Sequence, residues 1–237
     1  MPRPKDPPDA RTPLAEFRGG ALALAPLLVG VAPFGVIYGV LALRSGLPAP
    51  AAMAMSSVVF AGSSQFLLAQ LTGLGAAAPV MVASVGLVNL RHALYSASVA
   101  PALSHLPRRW KLALAYLLTD EAYAASVTRL AQGGPNRHWF LFGAGLTLWS
   151  GWQVSTASGI LVGASLPRDL PLDFALPLTF IAIVVPMIRS RAALAAAVVA
   201  AGVALSCAGW PYQLGLLSAA LSGIATGWLF SRWGRAL

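Results

Sequence analysis

The apolar positions of this chain fall in long unbroken blocks, not in alternation. The blocks cover 21–43, 51–71, 75–103, 112–130, 139–163, 174–188, 192–208 and 213–230. A helix needs about 20 mostly apolar residues to cross a hydrocarbon core of roughly 30 Å, and most blocks reach that length. Lipid offers no water to satisfy free backbone groups, so only helices or a closed barrel can span it. A barrel would show strands of roughly ten residues with alternating polarity, which these Ala/Leu/Val/Gly runs lack. The pattern predicts an all-α, polytopic transmembrane helical bundle with about seven to eight membrane segments, some of them discontinuous. The block 174–188 is short and holds Pro177 and Pro186, so it is expected to tilt, break or stop short of crossing.

Residues 1–16 are charged and Pro-rich with no apolar period, and read as a disordered cytoplasmic tail. Residues 17–237 read as a single transmembrane transport domain. The first block is too long for the apolar core of a signal peptide and is expected to remain as a helix.

Composition sharpens this picture. Hydrophobic residues make up 57% of the 237 residues and charged ones 10%, against roughly a quarter charged in soluble domains. The formal charge is +9, but Lys and Arg collect at block ends, as membrane-flanking cations do, so nucleic acid is excluded as a partner and the lipid bilayer expected. Trp110, Trp139, Trp210, Trp228 and Trp233 also lie near block ends, where indoles favour the headgroup region. If each block crosses once, the Arg108-Arg109-Trp110-Lys111 cluster falls on the outer side, against the positive-inside tendency. Splitting 75–103 into two short passes would repair the cluster but displace Arg189, Arg191, Arg232 and Arg235, so the single pass is preferred. Three small-xxx-small patterns, Gly35–Gly39, Gly159–Gly163 and Gly223–Gly227, would let backbones approach closely, the last as a face for a partner. Cys207 has no second cysteine and reads as a packing residue.

Candidate chemistry lies where polar groups interrupt the apolar blocks, because such groups are costly in lipid. The first interruption is Gly62, Ser63, Ser64 and Gln65, flanked by Phe60 and Phe66. It is either an unwound helix that aims backbone dipoles at a substrate, or an ordinary helix whose hydroxyls bond the preceding turn. The second is Asn89, Arg91 and His92, mid-block. Arg91 either receives a carboxylate, which its guanidinium can engage at both oxygens, or neutralises Asp120 or Glu121; His92 suits proton relay or a structural role. The third is Asp120 and Glu121, the two acids that lie inside an apolar block. They are the protonation candidates, unless they sit at a helix end facing water. On one continuous helix Tyr116, Asp120 and Tyr123 share a face, and Asp120 rather than Glu121 is expected to titrate. The first two interruptions are expected to meet, since each needs polar partners.

No metalloprotease, ATPase or paired-cysteine motif occurs, so no metal, cofactor or nucleotide is expected. A dyad of Ser63 or Ser64 with His92 lacks a nucleophile motif, so the chain reads as a non-enzyme.

Pro33-Phe34-Gly35, Phe60-Ala-Gly-Ser-Ser-Gln-Phe66, Asn89-Leu-Arg-His-Ala-Leu-Tyr95 and Thr119-Asp120-Glu121 occur in an order and at separations that resemble the AzlC family, over roughly residues 17–128. The C-terminal half is similar mainly in length and hydropathy. The resemblance implies a bacterial inner-membrane, multi-pass subunit that exports branched-chain amino acids such as leucine, isoleucine, valine or analogues with a small AzlD-type membrane subunit. The resemblance supplies no site residues. A zwitterionic amino acid needs donors for its carboxylate, acceptors for its ammonium and an apolar pocket. Arg91 or amides near Gly62 and Ser63 would serve the first, Asp120 the second, and Phe60 or Phe66 the third. With no nucleotide motif, the expectation is a secondary, proton-driven transporter using Asp120, Glu121 and His92. The alternative is a non-transporting membrane scaffold for a small hydrophobic partner.

Overall fold

The computed structural model describes residues 12–165, 185, 188–210 and 214–233. Among these residues there are nine helices and no strand. They are α1 (Pro13–Arg44), α2 (Ala49–Val58), α3 (Gly62–Gly73), α4 (Ala78–Leu103), α5 (Arg108–Leu117), α6 (Asp120–Ala131), α7 (His138–Ser165), α8 (Arg191–Ser206) and α9 (Leu214–Trp233). The expected all-α class holds. The block 174–188 and residues 1–11 lie outside the described residues, save for residues 185 and 188.

The chain divides into two compact units, a finer division than one transport domain over 17–237. The first draws on Met1–Gly73 and Gly86–Ser165, the second on Leu74–Val85 and Leu166–Leu237. In the second unit Gly223 and Gly227 lie against α8: a Cβ on Gly223 would sit 3.0 Å from that of Ala200, and one on Gly227 3.3 Å from that of Ala196. The face expected to await a partner is therefore covered within the chain.

The first unit is built around α1 and α7. α1 starts with Thr12 as its N-cap, whose hydroxyl accepts from the Ala15 amide (3.2 Å), and with Pro13 at its first position, where no amide partner is lost. Residues 13–16 are thus helical and not part of a tail. α1 is the one described helix both long and apolar enough to cross a bilayer by itself, and at 32 residues it is about 48 Å long. α4 and α7 have 26 and 28 residues but carry polar side chains along them. Two of the expected small-residue patterns account for the packing of α1 on α7: a Cβ on Gly159 would fall 2.1 Å from the Val36 carbonyl oxygen, and one on Gly39 2.5 Å from that of Thr156. Any side chain there would push the backbones apart. Large apolar side chains point outward, with Val29 79% and Leu161 72% exposed. Ser56, Gln65 and Thr156 are fully buried. A polar interior inside an apolar exterior is the arrangement expected of a bundle solvated by lipid.

Two of the blocks read as single spans are interrupted. α2 and α3 are separated at residues 59–61, just before the first polar cluster, whose residues 62–65 are themselves helical. α5 and α6 are separated at Leu118 and Thr119, an interruption the sequence reading did not anticipate. The two have the same plan. Pro48 and Pro107 precede ten-residue helices, and after each break a twelve-residue helix follows. α4 is one continuous helix over Ala78–Leu103, so the two-pass alternative for the block 75–103 is not adopted.

Candidate functional site

The first break turns on Phe60, which holds φ at +37°, a conformation that costs an aromatic residue energy and persists only when its surroundings enforce it. Its ring is buried and lies 5.8 Å from that of Tyr116. Breaking a helix frees carbonyls on one side and amides on the other. The freed carbonyls of α2 find side chains: Gln153 Nε2 donates to the Ser56 carbonyl (3.1 Å), and the Tyr116 hydroxyl donates to that of Ser57. On the other side the first intrahelical bond of α3 is Gln65 N to Ala61 O, 3.0 Å. The amides of Gly62, Ser63 and Ser64 therefore form an open first turn carrying the positive end of the helix dipole.

The second break runs through Leu118, at φ −84° and ψ 84°, and Thr119, which is extended and caps no amide with its side chain. α6 then opens directly with Asp120 and Glu121. Two carboxyls in a first helical turn oppose the positive helix end.

Arg91, on α4, reaches both breaks. One guanidinium nitrogen, Nη2, donates to Ser63 Oγ, and the other, Nη1, lies 2.6 Å from Asp120 Oδ2. Ser64 Oγ donates to Asn89 Oδ1 at 2.7 Å. The expected meeting of the first two interruptions is therefore present, and the third joins them. Arg91 and Asp120 are 30% and 37% exposed, so the pair is within reach of a solute. Asp120 Oδ1 and Arg91 Nε have no hydrogen-bond partner although both atoms are buried. The pair thus holds one acceptor and one donor in reserve.

α7 braces both breaks from one face. Trp152 Nε1 donates to Gln65 Oε1 (3.0 Å), and Trp149 Nε1, one turn earlier, donates to the Tyr116 hydroxyl (2.7 Å). Gly62 is held close beneath the Trp152 ring, where a Cβ would come within 3.0 Å of it.

Several expected roles shift. Gln65 accepts from Trp152 Nε1, and Phe66 packs edge-on against Tyr38 (6.0 Å), so each has a contact in the core. Phe60 closes on Tyr116 at the break. The shared face of Tyr116, Asp120 and Tyr123 does not form, because the break separates Tyr116 from the other two. The Tyr116 hydroxyl is engaged by Ser57 and Trp149, and that of Tyr123 by Ser98 Oγ (3.0 Å). Asp120 takes Arg91 instead. Glu121 is half-buried and enters neither ion pair found among the described residues. His92 lies 6.0 Å from Tyr95, whose ring stacks 4.6 Å from Tyr123, forming an aromatic wall beside the pair.

Sequence reasoning missed Glu16. It was placed in the tail, yet it is 1% exposed and ion-paired to Arg129, which also donates to the Gly133 carbonyl (2.8 Å). The pair ties the start of α1 to the end of α6. The second break also carried an available signal: a Thr followed by two acids is a helix-start signature.

The sequence profile of the family described as "AzlC protein" matches residues 26–166, more than half of the chain. That match takes in both breaks and Arg91. An uncharacterised membrane protein of Archaeoglobus fulgidus is 32% identical, over 90% of this chain and 95% of its own length. The inner membrane protein YgaZ of Escherichia coli is 24% identical, over 98% and 96%. The branched-chain amino acid transport protein AzlC of Bacillus subtilis is 29% identical, over 71% and 66%. No solved structure matches. Family, helical architecture and membrane-named relatives agree: this chain is a multi-pass membrane protein belonging to the AzlC family.

Proposed function

We propose that the chain is the translocating subunit of a secondary transporter that exports branched-chain amino acids, working with a small AzlD-type membrane subunit. The observation that carries the reading is Arg91 held between the open first turn of α3 and the acidic first turn of α6. An amino acid zwitterion can replace that internal pair without changing the charge of the site. Its carboxylate takes the guanidinium and the α3 amides, and its ammonium takes Asp120, so one ion pair is exchanged for two. Half-helix ends and a discontinuous backbone lining a polar interior are the devices transporters use for such substrates. The name of the Bacillus subtilis relative supports the branched-chain class.

Proton coupling, on this reading, falls to Glu121. Asp120 already has a cation, whereas Glu121 has none among the described residues and can shed its charge only by binding a proton. His92, beside the pair, is the next group on the path.

Counterflow of radiolabelled leucine in proteoliposomes tests the proposal. Uptake driven by internal unlabelled leucine, and competed by isoleucine and valine, is the expected result. A scaffold would move no leucine with or without its small partner, and that outcome would refute transport by this chain.

A further inference from the structure

The first unit contains a cavity that the proposed transport site does not use. It measures about 320 Å³ and runs between α4, α5 and α7, with Val99, Leu103, Leu114, Leu118 and Leu141 along its walls. Its lining is almost wholly apolar, and Lys111 stands among the lining residues in the first turn of α5. Lys111 Nζ donates to the Ser104 carbonyl at 2.6 Å, which fixes the ammonium beside the end of α4. Arg108 lies one turn before Lys111 on the same helix face and is exposed, as is Arg109. Neither ion pair among the described residues includes any of these three cations. From Lys111 to Ala115 the wall extends about 6 Å along α5, and Leu118 at the break continues it. Trp110 packs at 4.8 Å against Trp139 beside this end of the helix, an aromatic pair of the kind that sits at headgroup level.

We propose that this cavity binds an anionic phospholipid of the surrounding bilayer, with its phosphate on Lys111 and Arg108 and part of one acyl chain along α5. Charge complementarity commits the site to this occupant. An apolar slot alone would take any hydrocarbon, but Lys111 in its lining, with Arg108 one turn before it on the same helix face, selects a negative headgroup. The site also gives the Arg108-Arg109-Trp110-Lys111 cluster a role that topology leaves unassigned. It is independent of the transport proposal, since neither Arg91 nor Asp120 lines the cavity.

Native mass spectrometry of the full-length protein, released from detergent with phosphatidylglycerol or phosphatidylcholine of identical chains, tests the site. Phosphatidylglycerol is expected to be retained roughly tenfold or more over phosphatidylcholine, as two surface cations would give. The double variant Arg108→Gln, Lys111→Gln is expected to erase that preference. Ala115→Phe, which fills the slot, is expected to lower retention of both lipids, and Lys111→Arg to keep the preference. Folding of each variant is checked by an unchanged elution profile. Equal retention of the two lipids by the wild type, or a preference that survives the double glutamine variant, overturns the proposal. Undiminished retention by Ala115→Phe overturns the acyl-chain placement.

Discussion

The two broken helices share a plan and differ in the chemistry at the break. α3 opens with Gly62, Ser63, Ser64 and Gln65, all neutral, so its positive helix end is left to accept an anion. α6 opens with Asp120 and Glu121, which reverse that end and offer it to a cation. The same backbone device therefore yields two sites of opposite preference, and Arg91 links them. A substrate with one charge of each sign fits the pair; a simple anion or cation fits half of it. The supports differ as well. The first break is gripped through buried hydrogen bonds from Trp152 and Gln153, whereas the helix after the second is anchored at its far end by Glu16 and Arg129.

The largest effect is expected at Arg91, which touches both breaks. Arg91→Gln is expected to abolish leucine counterflow, because the substrate carboxylate then loses its guanidinium and Asp120 its ion-pair partner. Arg91→Lys keeps the charge but loses the planar fork that reaches Ser63 and Asp120 together, and should still cost roughly tenfold or more in counterflow. Wild-type flux in either variant would show that the bridge is not used.

Next come the two acids of α6. Asp120→Asn should remove most counterflow by taking away the ammonium partner. Glu121→Gln should leave counterflow nearly intact while removing flux driven by a pH gradient. Measuring both modes in the same proteoliposomes separates substrate contact from coupling, and a reversed pattern would exchange the two roles.

A smaller effect falls on stability. Glu16→Gln leaves Arg129 with a neutral partner in a buried position, and breaking such a pair costs about 3–5 kcal/mol. Thermal unfolding in detergent should show a large drop in midpoint, while counterflow per folded molecule should hold. The smallest effect is expected from Trp152→Phe. It deprives the fully buried Gln65 Oε1 of its donor, in a side chain whose Nε2 already lacks a partner, at about 1–3 kcal/mol. That loss should loosen the first break and spare the second. Equal loss at both, read by hydrogen exchange around residues 62–65 and 120–123, would mean that the breaks are not braced separately.

Much of this arrangement was legible in the sequence, for identifiable reasons. Long apolar blocks gave the helices, and a glycine and two serines inside one block marked the neighbourhood of the first break without deciding between an unwound and an ordinary helix; the break lies just before them. The approach of Ser63 and Ser64 to Arg91 and Asn89 followed from the need of each for a partner. The second break was harder to see. Leu117 and Leu118 continue the apolar period, so hydropathy ran through it, and only Thr119 before two acids marked a new start. Glu16 was hidden by its neighbours: a Pro-rich stretch looks like a tail until the Thr12 cap and Pro13 are read as a helix start. Phe60 at positive φ had no signal in its residue type.

Whether a zwitterion takes the place of the Arg91–Asp120 pair is addressed most directly by analogues that lack one charge. Isocaproate has the carboxylate and branched chain of leucine without its ammonium; isoamylamine has the ammonium without the carboxylate. Inhibition of leucine counterflow by each would be measured in wild type and in any Asp120→Asn protein that retains flux. Both analogues are expected to compete far more weakly than leucine in wild type, and Asp120→Asn is expected to narrow the gap for isocaproate alone. Competition by isocaproate equal to that of leucine in the wild-type protein would contradict that exchange.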